Sequence, residues 1–162
     1  MDNPSDIRLP FFAYGIFKPG QLGYLRLIDL VAEAKPGCEI KGALLVRDGL
    51  PIIDEKPGHF GTCTGTMLTF KPDAVEAAYQ RVAEIEPDKH YRWGVASVQG
   101  TDVNALFGRS PKKGSIPCED AEWDGKNDLL FTAALEVIDE ALQANAVFEW
   151  DLKPLFRLQM AY

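Results

Sequence analysis

The chain has 162 residues, enough for one domain with a full core. Its 46% hydrophobic and 25% charged residues exclude a disordered polymer. A formal net charge of −7, with the acids dispersed along the chain, argues against nucleic acid or an anionic membrane as partner, because both recruit clustered lysine and arginine.

After a polar lead, "LPFFAYGIF" predicts a first strand that is apolar on both faces and so central. Tyr14-Gly15 and Lys18-Pro19-Gly20 end it in a sharp turn. In "YLRLIDLVAEA" the spacing of Leu25, Ile28 and Val31 predicts a helix over 24–34, closed by Pro36-Gly37. "CEIKGALLV" predicts one strand, Asp48-Gly49 a hairpin turn, and "LPIID" the returning strand. "GTCTGTMLTF" is strand again, with Gly61 and Gly65 marking a bulge or a close backbone approach. "KPDAVEAAYQRVAEIE" carries the plainest helical stripe, Val75, Ala78, Tyr79, Val82 and Ile85, and Pro87 stops the helix at Glu86. "YRWGVASVQ" follows as a strand, then a long loop over 108–127. A second helix is predicted over 128–146, with Phe131, Ala134, Leu135, Ile138 and Leu142 on one face, before an aromatic tail that packs down. Lys-Pro-Gly occurs at 18–20, 35–37 and 56–58 at unequal intervals, which is turn chemistry and no repeat. The interleaved order predicts a mixed α+β domain around a strongly curved, barrel-like sheet with a few packed helices.

No run reaches the length of a membrane span, and "MDNPSDIRLP" lacks the basic and apolar regions of a secretory signal. Cys38, Cys63 and Cys118 are odd in number and form no CxxC pair. Together these predict a reduced, cytoplasmic protein. The two histidines, His59 and His90, are too isolated for a zinc site, and no metal is expected.

Three features have chemical potential. A glycine at a strand end, Gly15, lets a ligand approach backbone N–H groups, which hold carboxylates or a developing oxyanion. Glu86 at a helix C-terminus meets the negative end of the macrodipole, and an apolar pocket there would raise its pKa further. Lys89 or Arg92 nearby would pull the opposite way, and Arg92 has Glu84 and Glu86 as candidate surface partners. The plain alternatives are a core strand ending in a turn and a solvated glutamate. Phe107, Trp123, Trp150 and Phe156 suit a core or an interface, and Lys112-Lys113 an exposed turn. Cys63 with His59 suggests a thiol nucleophile, but a buried strand cysteine is normally inert. "GHFGTCTG" lacks the Gly-Lys-Ser/Thr of a phosphate loop.

Four of these stretches, in order and spacing, resemble the γ-glutamylcyclotransferase-like (AIG2-like) family over about residues 9–100. "FFAYGIFKPG" resembles its Tyr-Gly-Thr/Ser-Leu opening, "IKGALLVRDGLPIIDE" its glycine-led hairpin, and "GTCTGTMLTF" its next strand. "AAYQRVAEIEPDKHYRWGVASV" is similar to its glutamate signature, with Glu86 on the catalytic glutamate and Tyr91-Arg92 on the Tyr-x-Arg position. Ile16 replaces the family's hydroxyl residue, Phe17 its leucine and Pro87 its glycine, and Arg92 comes one place early.

The resemblance implies one domain over 1–162 with a site-bearing core at 9–100 and an elaboration at 101–162. It implies a small γ-glutamyl peptide or amine as substrate, with no cofactor, beside the absence of nucleic-acid and membrane partners that the charge implies; the oligomeric state stays open. Glu86 would take a proton from the α-ammonium, whose nitrogen then closes on the γ-carbonyl and releases 5-oxoproline. Tyr14, Gly15, Ile16, Phe17 and Tyr91 would bind the substrate. The alternative on the same pocket is a non-catalytic module for a small carboxylate or a peptide terminus.

Overall fold

The run at 11–13 forms β1 (Phe11–Ala13), buried throughout because all three of its side chains are apolar. It lies at the middle of a five-stranded sheet in this computed structural model, which describes residues 1–55, 61–86 and 88–125. The turn expected at 56–58, His59, Pro87, the helix expected over 128–146 and the tail with Trp150 and Phe156 lie outside those residues.

On one side β1 pairs antiparallel with β5 (Thr62–Phe70), Phe11 facing Leu68. On the other it runs parallel to β7 (Thr101–Gly108), with Phe11 opposite Asn104. The sheet is completed by β2 (Val31–Lys41) beside β5 and β6 (Tyr91–Val98) beside β7. The edges β2 and β6 approach each other without pairing, so among the described residues the sheet curls but does not close into a barrel. A second sheet of three strands has the order β4 (Leu50–Asp54), β3 (Ala43–Arg47), β8 (Ile116–Pro117). The expected mixed α+β architecture holds. No helix among the described residues is long and apolar enough to cross a membrane.

Two expectations from local spacing are corrected. Residues 24–34 are not a helix: a 3₁₀ helix covers Leu22–Arg26, and the chain is already strand at Val31. Leu22 and Leu27 are the buried hydrophobic side chains there, while Ile28, part of the expected stripe, is exposed. Pairing of Val31 with Phe70 and of Ala34 with Leu68 overrides the helix propensity of Ala32-Glu33-Ala34. Pro36-Gly37 sits in an irregularity of the β2–β5 register between Lys35 and Cys38, which bends the strand. The second correction is the single strand expected at 38–46. It breaks at Gly42, whose φ of 148° carries the chain from one sheet into the other. A Cβ there would meet Ile53 Cγ2 at 2.6 Å.

Other local signals hold. Asp48 and Gly49 both take positive φ, 53° and 78°, as a two-residue turn between β3 and β4 requires. Gly65 is a close approach: an added Cβ would lie 2.5 Å from Ala13 O. The stripe residues Ala78, Tyr79 and Val82 of α1 (Val75–Ile85) are buried. Tyr79 stands edge-on to Phe11, Phe70 and Trp93, and its hydroxyl donates to Leu9 O.

Candidate active site

Internal hydrogen bonds shape the turn after β1. The N–H of Lys18 donates to Gly15 O at 3.0 Å, that of Gln21 to Lys18 O at 3.0 Å, and that of Tyr24 to Ile16 O at 3.2 Å. Among the described residues, no such bond uses the N–H of Gly15, Ile16 or Phe17. Glycine is required at 15, since a Cβ would lie 2.7 Å from Pro51 Cγ.

A strap from the long loop fastens this turn on its outer side. Lys18 Nζ, on a buried side chain, donates to Glu122 Oε1 at 3.0 Å and to Trp123 O. Gln21 Nε2 donates to Asp124 O at 3.2 Å, Trp123 Nε1 to Gly49 O at 3.2 Å, and Thr64 N–H to Ala121 O at 2.8 Å. Phe107 and Trp123 are thus core residues, as their composition suggests. In sequence, neither Lys18 nor Glu122 announces this contact, which spans more than a hundred residues.

Glu86 arrives from the opposite side. The extended geometry of Glu86 (φ −79°, ψ 128°) ends α1, and its N–H donates to Val82 O at 3.0 Å. The turn and the glutamate face one small cavity of about 20 Å³. Tyr14, Gly15, Ile16, Phe17, Glu86 and Tyr91 all line it, together with Leu50 and Pro51 from β4 and Leu106 from β7. Glu86 is the only charged residue in that lining among the described residues. Its Oε2 is buried and has no hydrogen-bond partner among them. Burial is the cause that pushes its pKa up to about 8, so the acid and its carboxylate are both accessible near neutral pH.

Both tyrosine hydroxyls are committed to the backbone. Tyr14 donates to Leu106 O at 2.6 Å, and Tyr91 to Pro51 O at 2.8 Å. Burial, then neighbouring acidic groups that include Glu86, holds both phenols well above their ordinary pKa. They stay neutral donors that fix β4 and β7 against the cavity.

No protein-family model and no curated protein matches the sequence. Solved structures match in shape. An AIG2-like protein from Mus musculus is 19% identical, with 73% of this chain and 89% of that chain covered at a TM-score of 0.56. For c4763, a uropathogenic E. coli-specific protein, the values are 12%, 71%, 91% and 0.57. The fold is AIG2-like. The motifs at 9–100 and the three-dimensional shape therefore lead to the same place.

Within the AIG2-like fold, the remaining candidates sort themselves. Arg92 pairs with Glu55, and not with Glu84 or Glu86; its guanidinium lies 5.5 Å from the Phe107 ring centre. Neither Arg92 nor Lys89 contributes to the shift at Glu86. Cys63 is fully buried, and burial pushes its thiol up to about 12, so it is no thiolate nucleophile.

Proposed function

We propose that this protein is a γ-glutamylcyclotransferase-like enzyme that releases 5-oxoproline from a γ-glutamyl peptide or γ-glutamyl amine. One observation carries the reading: a buried carboxyl with a pKa near 8, its Oε2 without a hydrogen-bond partner among the described residues, shares a cavity with the backbone of Gly15–Phe17. Ionised Glu86 takes a proton from the substrate α-ammonium. The freed amine attacks the γ-carbonyl of the same residue, and the amides of the 15–17 turn stabilise the oxyanion. The tetrahedral centre collapses, the γ-amide C–N bond breaks, protonated Glu86 gives its proton to the departing amine, and the carboxylate so restored takes the second proton from the ring nitrogen and passes it to the released amine. The balance closes without a cofactor. Tyr14 and Tyr91 shape the binding wall, and Ile16 and Phe17 make it more apolar than a hydroxyl and a leucine would. The three free cysteines suit a reducing, cytoplasmic setting.

The test is 5-oxoproline release, measured by mass spectrometry over a panel of γ-glutamyl peptides and amines. Wild type releases it, and Glu86→Gln does not, while the variant keeps its affinity for 5-oxoproline. A second reading, a non-catalytic module for small carboxylates, draws on the commitment of both tyrosine hydroxyls to carbonyls, which leaves the cavity little side-chain polarity. Wild type that binds 5-oxoproline but releases none from any panel member selects that reading.

A further inference from the structure

A second, small cleft, of about 10 Å³, shares Leu50 and Tyr91 with the cavity and adds Arg47, Asp48, Ile52 and His90. We propose that it is an anion subsite in which Arg47 and His90 bind a carboxylate carried by the leaving half of the substrate. This rests on the proposed cyclotransferase reading, because the leaving half belongs to that reaction.

Arg47 differs from the ion-paired cations. Arg8, Lys18, Arg81, Arg92 and Arg109 each pair with a carboxylate. No carboxylate among the described residues lies at ion-pair distance from Arg47. Neutral acceptors hold its guanidinium instead: Nη1 donates to Ser110 O at 3.1 Å and to Lys113 O at 3.2 Å. Nη2 lies 3.2 Å from His90 Nδ1. Arginine has only donors, so Nδ1 is the acceptor and the proton of the neutral ring sits on Nε2. The pair therefore keeps its full charge and offers further donors, Nε–H and the second Nη2–H of Arg47 and Nε2–H of His90. Planar forks of this kind suit carboxylate and phosphate.

The scaffold around the pair is built at a cost. Ser110, whose carbonyl holds Arg47, has a φ of 99°, a region that residues with a side chain seldom enter. Strain of that sort persists where surrounding contacts enforce it, and it gathers at binding sites. Lys89 adds positive potential at His90; Asp48, exposed in its turn, is the one acid in the cleft lining among the described residues and opposes it. In a chain of net charge −7, a guanidinium without a carboxylate partner among the described residues, beside the reaction cavity, goes against the general composition.

The experiment has two arms. In the first, sodium acetate is titrated at constant ionic strength while the His90 ring signals are followed by NMR, assigned with His90→Asn. A saturable shift in wild type that is lost in Arg47→Gln is expected; a linear drift or no shift overturns the subsite. In the second, γ-glutamylalanine is compared with γ-glutamylethylamine, which lacks the carboxylate. Wild type should prefer the acid at least tenfold in kcat/KM, mainly through KM, and Arg47→Gln should collapse that ratio about tenfold or more. Arg47→Lys, which keeps the charge but loses the fork, should lie between, and it serves if Arg47→Gln fails to fold. Turnover of both substrates at equal efficiency overturns the subsite and leaves the cyclotransferase reading intact. Turnover of neither, with a saturable acetate shift, overturns the cyclotransferase reading and keeps the anion site.

Discussion

Replacing Glu86 by glutamine should make the protein more stable, by an amount that depends on pH. The carboxyl has an ordinary pKa of 4.5 and a folded value of about 8. Between those values the folded state binds a proton that the unfolded state has lost, so stability falls as pH rises from about 4.5 through about 8. At 1.36 kcal/mol per pKa unit, the penalty reaches about 3 kcal/mol at pH 7 and levels off near 5 kcal/mol above pH 8. Glutamine has nearly the same shape and no charge to lose, so it removes this pH-dependent part, although its amide still enters a site where Glu86 Oε2 has no partner among the described residues. Urea unfolding of both proteins at half-unit steps from pH 5 to pH 9 measures the difference. The advantage of Glu86→Gln should grow by about 4 kcal/mol over that range and then flatten. A difference that stays constant with pH, or shrinks as pH rises, would mean that Glu86 is solvated or paired, and the argument for its chemistry would fall with it.

On the cyclotransferase reading, kcat/KM should rise about tenfold per pH unit below about 8, because the base form of Glu86 is the active one; a flat profile between pH 6 and pH 8 refutes this. Gly15→Ala places a methyl 2.7 Å from Pro51 Cγ, should cost about 1–3 kcal/mol by urea unfolding, and should lower 5-oxoproline release. Tyr91→Phe leaves the Pro51 carbonyl without its donor and should cost about 1–2 kcal/mol, read from the same unfolding curves. Cys63 should resist iodoacetamide in the folded protein and react once urea unfolds it; rapid labelling of the native protein would contradict its burial.

What could be read from the sequence depended on whether a signal was local. The stripe of α1 and the turn residues Asp48-Gly49 carry their own instructions, and both elements form where expected. β2 carries none: Lys35-Pro36-Gly37 looks like the end of a helix, and only the ladder to β5, far along the chain, makes it a bulge. β7 is hidden for a different reason. Asp102 and Asn104 interrupt its apolar run, yet Asn104 is buried, donating Nδ2 to Asp6 O at 2.8 Å and to Tyr79 Oη at 3.0 Å. A satisfied buried amide is thus compatible with a central strand and invisible to hydrophobic periodicity. The candidate site divides along the same line. Tyr14–Phe17, Glu86 and Tyr91 belong to short motifs, whereas Leu106, Pro51 and the 121–124 strap reach the turn through long-range pairing.

The charges around the cavity explain why Glu86 is shifted at all. Besides Lys89, which contributes nothing to the shift at Glu86, two cations sit close to it in sequence or in the motif: Lys18, just after the turn, and Arg92, next to Tyr91. Either one beside the carboxyl would hold it ionised and far below neutrality, where it is a weak base and no acid. Each is occupied by an acid from elsewhere, Lys18 by Glu122 and Arg92 by Glu55. Both tyrosine donors, which would also stabilise a carboxylate, are spent on the Leu106 and Pro51 carbonyls. Desolvation is then left unopposed. On this account Glu122 and Glu55 act on the site without touching it. Removing Glu55 should free Arg92 to swing toward Glu86, lower the carboxyl pKa, and shift the acidic limb of the kcat/KM profile to lower pH while reducing its plateau. Glu55→Gln with an unmoved limb would show that distance alone, and not the competing ion pair, keeps Arg92 away.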